Sequence, residues 1–255
     1  MRIITAPCSE LKNIQKNIAR LLAKKIDPIL PDYVSGFRKG GALVLNTQPH
    51  LNKKWVINID IENFFPSTSS KLVSYALSKL DISYNNYSNE ELVDLLTLNQ
   101  SLPQGSPASP SIANYIANVF VDPLVLEELN NNFGLNGFSY SRYADDLTIS
   151  IDNPEFDRGK IKILLDSIIK KIESESPYKI NKNKITVSHE SQRQVVTGVV
   201  VNKGNSLGKK EKLRYRAIMH KVKTGQLEMT PELQGKLSFI YSINKELYHK
   251  LTKGM

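Results

Sequence analysis

Residues 138–151 read FSYSRYADDLTISI, and this stretch decides the fold. Apolar and aromatic residues alternate with small polar ones on either side of Ala144–Asp146, which predicts two strands joined at a tight turn. Asp145 and Asp146 stand next to each other at that turn. A turn accommodates one Asp through local hydrogen bonds, but two adjacent carboxylates repel. A divalent cation removes the objection, because Mg²⁺ takes oxygen ligands from one or two carboxylates together with substrate phosphates. The bland alternative is a strand-end Asp beside an Asx-type turn.

A second strand is predicted upstream, in KWVINIDI (residues 54–61). By the two-residue period Trp55, Ile57 and Ile59 share one face, and Asp60 lies on the other with Val56 and Asn58. Asp60 is the third candidate carboxylate. Two cations about 4 Å apart can activate an attacking hydroxyl and stabilise a leaving pyrophosphate.

Around these strands the periodicity is helical. Residues 9–26 carry a stripe of Leu11, Ile14, Ile18, Leu21 and Leu22, with Ser9 as the expected cap and Pro28 as the stop. Helical spacing returns over Ser67–Leu80, and Ser88-Asn89-Glu90-Glu91 reads as a capping box. Pro107 or Pro110 is expected to open a helix reaching about Leu129. Ile161, Leu164, Leu165, Ile168 and Ile172 mark another helix, short strands follow near 185–188 and 194–202, and helices over 208–224 and 231–252 close the chain. The order predicts an α+β sheet domain followed by a small helical one.

Composition is that of a globular chain: 255 residues, 40% hydrophobic and 23% charged. The single cysteine, Cys8, excludes an internal disulfide and any Cys-rich zinc site. No signal-peptide h-region is present, and the longest uncharged run, Leu95–Val121, is too rich in Gln, Asn, Ser and Pro for a membrane span. A cytoplasmic protein with no membrane partner is expected. The net charge of +9 is unevenly placed: residues 1–60 carry +6, residues 61–202 carry −5 and residues 203–255 carry +8. Basic ends condense on phosphate backbones, and an acidic centre suits a cation site working on a polyanion.

Three segments resemble, in order, catalytic motifs of reverse transcriptases: DIENFFPS (Asp60–Ser67), LPQGSPASP (Leu102–Pro110) and YADD (Tyr143–Asp146). RIITAPCSELKNIQ at the start, GFRKGGALVLNTQPH (Gly36–His50), QRQVVTG (Gln192–Gly198) and GKLSFIYSINKELYHKL near the end resemble the bacterial retron reverse transcriptases in particular. NTQPH matches that family's NAxxH box except at Thr47, and Val196-Thr197-Gly198 matches its VTG box. Family members usually carry further residues ahead of the RxIxxP motif, so the resemblance implies a trimmed start or a reduced N-terminal part.

The resemblance implies a right-hand polymerase: fingers and palm over residues 1–202, built of an antiparallel sheet and helices, and a small basic helical thumb over 203–255. It implies that Asp60, Asp145 and Asp146 bind two Mg²⁺ (Mn²⁺ as substitute), with the Ile61 carbonyl assisting. Phe65 falls at the family's gate against a ribose 2′-hydroxyl. Gln104 and Gly105 lie at the nucleotide, where Gly allows close backbone approach. Arg2 aligns with a triphosphate contact, and Lys184 falls where a lysine could protonate the leaving pyrophosphate. Asn46 and His50 belong to the NAxxH box, and Thr197 and Gly198 to a predicted strand that a partner chain could approach. Lys209, Lys212 and Arg216 recur at helical spacing as a basic face for an RNA-containing duplex.

The implied reaction is DNA synthesis from dNTPs on the protein's own structured non-coding RNA. It is primed from an internal 2′-hydroxyl to leave branched RNA-linked DNA, in an anti-phage system with an effector protein. The alternatives are a group II intron or abortive-infection reverse transcriptase or, in another class, an RNA-binding scaffold whose polymerase is idle.

Overall fold

A computed structural model describes residues 5–134 and 137–253. Its centre is β1 (Trp55–Glu62), the strand expected from KWVINIDI. On one edge β1 pairs antiparallel with β3 (Asp146–Ile151), which pairs in turn with β2 (Phe138–Tyr143). On the other edge two short strands share β1 end to end: β4 (Lys179–Ile180) against Ile61 and Glu62, and β5 (Thr186–His189) against Trp55–Asn58. A 3₁₀ turn, Lys182–Lys184, fills the gap between them.

Helices pack on the face carrying Trp55, Ile57 and Ile59. They are α1 (Ser9–Ile26), α3 (Ser70–Lys79), α4 (Asn89–Leu96), α5 (Ser109–Phe120), α6 (Asp122–Phe133) and α7 (Arg158–Glu175), while the short α2 (Leu43–Thr47) lies elsewhere. Fully buried Ile18, Leu22, Leu96, Ile112, Ile116, Leu129 and Ile172 anchor this core, each worth about 1.5–3 kcal/mol of burial. On the opposite face Val56 packs with Val196, Val201 and Leu51 under a small hairpin, β6 (Val195–Val196) and β7 (Val199–Val200). That hairpin reaches as far as Asn58, whose Nδ2 donates to the Val195 carbonyl at 3.0 Å, and Asp60 lies beyond it.

A separate apolar cluster gathers Val199, Leu207, Met219, Leu233, Leu237, Ile240, Ile243, Leu247 and Leu251, with Leu43 and Val44 against it. It holds together α8 (Lys209–Lys223), α9 (Pro231–Ile243) and α10 (Lys245–Thr252). Among the described residues no helix is long and apolar enough to cross a membrane.

The differences from the expected elements have local causes. Cys8, not Ser9, is the N-cap of α1, and no side chain caps it. The helix over Ser67–Leu80 starts at Ser70, since Asn63 takes φ +49 and the chain turns through Pro66. The helix expected to reach Leu129 begins at Ser109 with Pro110 in its first turn, and it ends at Phe120. Pro123 opens a second helix there, because a proline lacks the N–H needed to continue the first. The strand expected over 194–202 is the β6–β7 hairpin: Thr197 and Gly198 are its two turn residues, at φ +44 and +85, as tight hairpin turns require. The closing helix divides at Asn244, whose side chain accepts from the Leu247 N–H and caps α10.

Candidate active site

The ladder between β1 and β3 ends where Asp60 pairs with Asp146. Directly opposed residues share a face, so these two carboxylates are neighbours on the sheet. The hairpin turn is Ala144-Asp145, with Ala144 at φ +59, and the Ile61 N–H donates to the Asp145 carbonyl at 2.9 Å. One more backbone bond thus ties the turn to β1, and Asp60, Ile61, Asp145 and Asp146 become contiguous.

Behind the turn lies a fully buried ion pair. Arg142 Nε donates to Asp122 Oδ1 at 2.7 Å and Nη2 to Oδ2 at 2.9 Å. Its remaining donors reach Asn114 Oδ1 (2.6 Å), the Asn114 carbonyl (3.1 Å) and the Ala144 carbonyl (3.3 Å). Tyr140 donates to the same carboxylate at 2.6 Å, and burial, with Asp122 beside it, raises its hydroxyl pKa well above the ordinary value. The network joins β2 to α5 and α6 and holds the peptide before Asp145.

In front of the turn a cavity of about 580 Å³ is lined by Asp60, Ile61, Phe65, Gln104, Gly105, Asp145 and Lys184, together with Phe37, Glu62, Asn63, Phe64 and Asn181. Its volume lies in the range of small-ligand sites. Seven expected site residues from four sequence regions therefore share one wall. Gln104-Gly105 is a turn ahead of α5, with Gly105 at φ +119, and the Gln104 carbonyl accepts from both the N–H (2.9 Å) and hydroxyl (3.4 Å) of Thr5. Lys184 rides the 3₁₀ turn between β4 and β5, where the Asn181 N–H holds the Asp60 carbonyl at 2.9 Å. Its ammonium lies 2.6 Å from Asp60 Oδ1.

A cation already rests on the Asp60 carboxylate, and the surrounding donors are hard oxygens. Among the described residues no three His, Cys, Asp or Glu side chains form a ready-made metal cage. Two carboxylates on one cavity wall with a neighbouring carbonyl nevertheless suit Mg²⁺, which completes its shell with water and substrate phosphate.

Asp146 does not itself line the cavity, and neither do the other expected residues among those described. His50 is fully buried: Nδ1 is 2.8 Å from Ser150 Oγ on β3, and Nε2 is 2.8 Å from Ser141 Oγ on β2. Ser141 donates to the Asn46 carbonyl at 3.3 Å, so its oxygen accepts from Nε2–H and Nδ1 accepts from Ser150. Burial, then Lys53, pushes the imidazole down to about 3, and it is neutral. Asn46, also fully buried, accepts from Ser35 Oγ (2.9 Å) and donates to Thr197 Oγ1 (3.3 Å), joining the NAxxH and VTG boxes. Gly198 is exposed at the tip of its turn. On α8, Lys209 and Arg216 are exposed, whereas Lys212 is half-buried beside the inward stripe of Tyr215, Met219 and Val222. Arg2 lies outside the described residues.

Sequence reasoning missed Phe37, Asn181 and the Asn114–Asp122–Arg142 network. Phe37 falls within GFRKGGALVLNTQPH, but an aromatic beside glycines carries no period that assigns it a face. Arg142 was visible as the one charge in a strand of alternating apolar residues.

Residues 1–218 match the family described as reverse transcriptase (RNA-dependent DNA polymerase). The chain is 30% identical over 252 residues to the Retron Ec86 reverse transcriptase of Escherichia coli, spanning 98% of this chain and 74% of that protein. It is 34% identical over 217 residues to the Retron Se72 reverse transcriptase of Salmonella heidelberg (strain 579083-10), spanning 84% and 55%. Its fold is similar to that of telomerase from Candida albicans, with a TM-score of 0.51 at 12% identity over 96% of this chain and 48% of the other. The chain belongs to the reverse transcriptase family and, within it, to the retron reverse transcriptases, which are RNA-directed DNA polymerases.

Proposed function

We propose that this protein copies part of its own structured non-coding RNA into DNA in the bacterial cytoplasm, priming from an internal RNA 2′-hydroxyl and leaving branched RNA-linked DNA. The observation that carries the polymerase reading is that Asp60, Asp145, Phe65, Gln104, Gly105 and Lys184 line one cavity of about 580 Å³. The retron part rests on the relatives, and an RNA partner is also in keeping with the telomerase neighbour, which was solved with a fragment of telomeric RNA.

Asp60, Asp145, Asp146 and the Ile61 carbonyl are the groups that would hold divalent cations, Mg²⁺ or Mn²⁺ in its place. Bound there, such cations make the primer hydroxyl more acidic and take up charge on the leaving pyrophosphate. Phe65 bars the 2′-hydroxyl of an rNTP, and the Gln104-Gly105 turn brings backbone close to the dNTP. Lys184, which pairs with Asp60 at 2.6 Å, would be free to donate a proton to the pyrophosphate once cations occupied that carboxylate, and Arg2 would meet the triphosphate.

Residues 1–202 would form fingers and palm. Residues 203–255 would form a thumb whose Lys209, Lys212 and Arg216 bear on the duplex. The Thr197-Gly198 turn would meet RNA through its exposed Gly198, whereas Asn46 and His50 would serve it only through the residues they hold. An effector protein and a role in anti-phage defence complete the reading.

One experiment tests it. Protein co-purified with its RNA is given dNTPs and Mg²⁺ beside Asp145→Asn, and the product is treated with debranching enzyme. The variant should lose about a thousandfold or more of DNA synthesis, several kcal/mol of transition-state stabilisation. The wild-type product should shift in mobility on debranching. Equal synthesis by both proteins refutes the polymerase site, and an unshifted product refutes 2′-hydroxyl priming.

A further inference from the structure

Phe37 combines three unusual properties. It is 45% exposed, it takes φ +54, and its ring lines the cavity shared with Asp60 and Asp145. A bulky side chain rarely adopts positive φ, and such a conformation persists only where the surroundings hold it. The surroundings here are the free edge of β2. The Arg142 N–H donates to the Tyr33 carbonyl at 2.8 Å and the Ser35 N–H to the Arg142 carbonyl at 3.0 Å, so residues 33–35 zip along that edge. The Gly36 carbonyl accepts from Asn114 Nδ2 at 2.9 Å. Gly36 lies so close to the hairpin turn that a Cβ there would stand 2.6 Å from the Ala144 nitrogen. Phe37 is thus delivered to the cavity by backbone locked to the turn that carries Asp145.

Its ring meets Phe65, with centroids 6.1 Å apart and planes at 47°. Phe65 has one other aromatic neighbour among the described residues, Phe64, at 5.5 Å. Phe64 is buried and fixed in turn by Tyr178 at 5.7 Å, whose hydroxyl pairs with Thr68 at 2.8 Å. The half-buried Phe65 is therefore anchored to the core through Phe64 and to the active hairpin through Phe37.

We propose that Phe37 is a positioning residue for sugar selection: it fixes the Phe65 ring where a ribose 2′-hydroxyl would have to sit. This rests on Phe65 acting as the gate. Without the Phe37 ring, Phe65 gains rotamers that open the cavity to ribonucleotides, so discrimination falls even though the gate residue is unchanged.

The test measures kcat/KM for dGTP and for GTP on a cytidine RNA template with a DNA primer, using the full chain. Phe37→Ala and Phe37→Gly should each lower the dGTP-to-GTP ratio about tenfold or more, the scale at which pocket shape discriminates. Phe37→Gly also removes the ring without backbone strain, since glycine accepts φ +54 freely. Phe37→Tyr keeps a ring against Phe65 and should retain the wild-type ratio. A merely structural role would lower both efficiencies together and leave the ratio intact. An unchanged ratio in Phe37→Ala and Phe37→Gly, while Phe65→Ala lowers it, overturns the proposal and spares the gate. An unchanged ratio in Phe65→Ala overturns the gate itself, and the proposal with it.

Discussion

Two ion pairs lie at the β2–β3 hairpin, one behind it and one in front. Arg142–Asp122 is closed on every side, with both side chains 0% exposed, a bidentate fork and further bonds to Asn114 and Ala144. Lys184–Asp60 is a single contact of 2.6 Å whose lysine is 46% exposed. A buried fork with every donor satisfied has no cheaper arrangement and stays as it is. A half-exposed ammonium on a flexible stem can exchange its partner for water or an incoming cation. The sheet thus fixes charge behind the turn and leaves it exchangeable in front of it.

The largest effect should come from breaking the closed pair alone. Arg142→Met leaves Asp122 buried without a partner and should destabilise by about 3–5 kcal/mol, read from urea unfolding. Adding Asp122→Leu removes the stranded charge and should recover most of that loss. A single variant as stable as wild type would show that the pair is no different from the open one.

Next is the neutral cross-link beside it. The His50 pKa is about 3 in the folded protein against an ordinary 6.5, so between those values only the unfolded chain takes up the proton. Its contribution is intact above pH 6.5 and shrinks as pH falls, by about 1.4 kcal/mol per unit, or about 3 kcal/mol from pH 6 to 4. His50→Gln should flatten that part of the stability–pH curve, and an unaltered slope would mean the imidazole is charged when buried.

The smallest effect on stability should come from opening the exposed pair. Lys184→Met should change unfolding free energy by less than about 1 kcal/mol. Polymerisation by the same variant should nonetheless slow by about a hundredfold. A large stability loss would move Lys184 into the class of Arg142.

What the sequence disclosed divides along the same line. The hairpin, the strand carrying Asp60, the Ser88–Glu91 capping box and the five-residue apolar stripe of α7 were all legible, because each is set by neighbours within a turn or two. The Ser88 side chain accepts from the Glu91 N–H, and Glu91 returns a bond to the Ser88 N–H. The partner of Arg142 was not legible, since Asp122 lies 20 residues earlier, at the start of a helix that the apolar spacing does not separate from α5. The roles of Asn46 and His50 were hidden for the same reason: their partners, Thr197 and Ser150, are 151 and 100 residues away. The cavity residues were found by motif, but their convergence depends on β4 and β5 dividing one edge of β1, and a two-residue strand leaves no periodic trace.

Thr5 holds the Gln104 carbonyl with both its amide and its hydroxyl, so the start of the described chain is fastened to the wall of the cavity shared by Asp60 and Asp145. For anyone handling the protein this sets a polarity. A pull on Thr5 is felt at Gln104 in the cavity wall, whereas a pull on α10 is felt in the second apolar cluster.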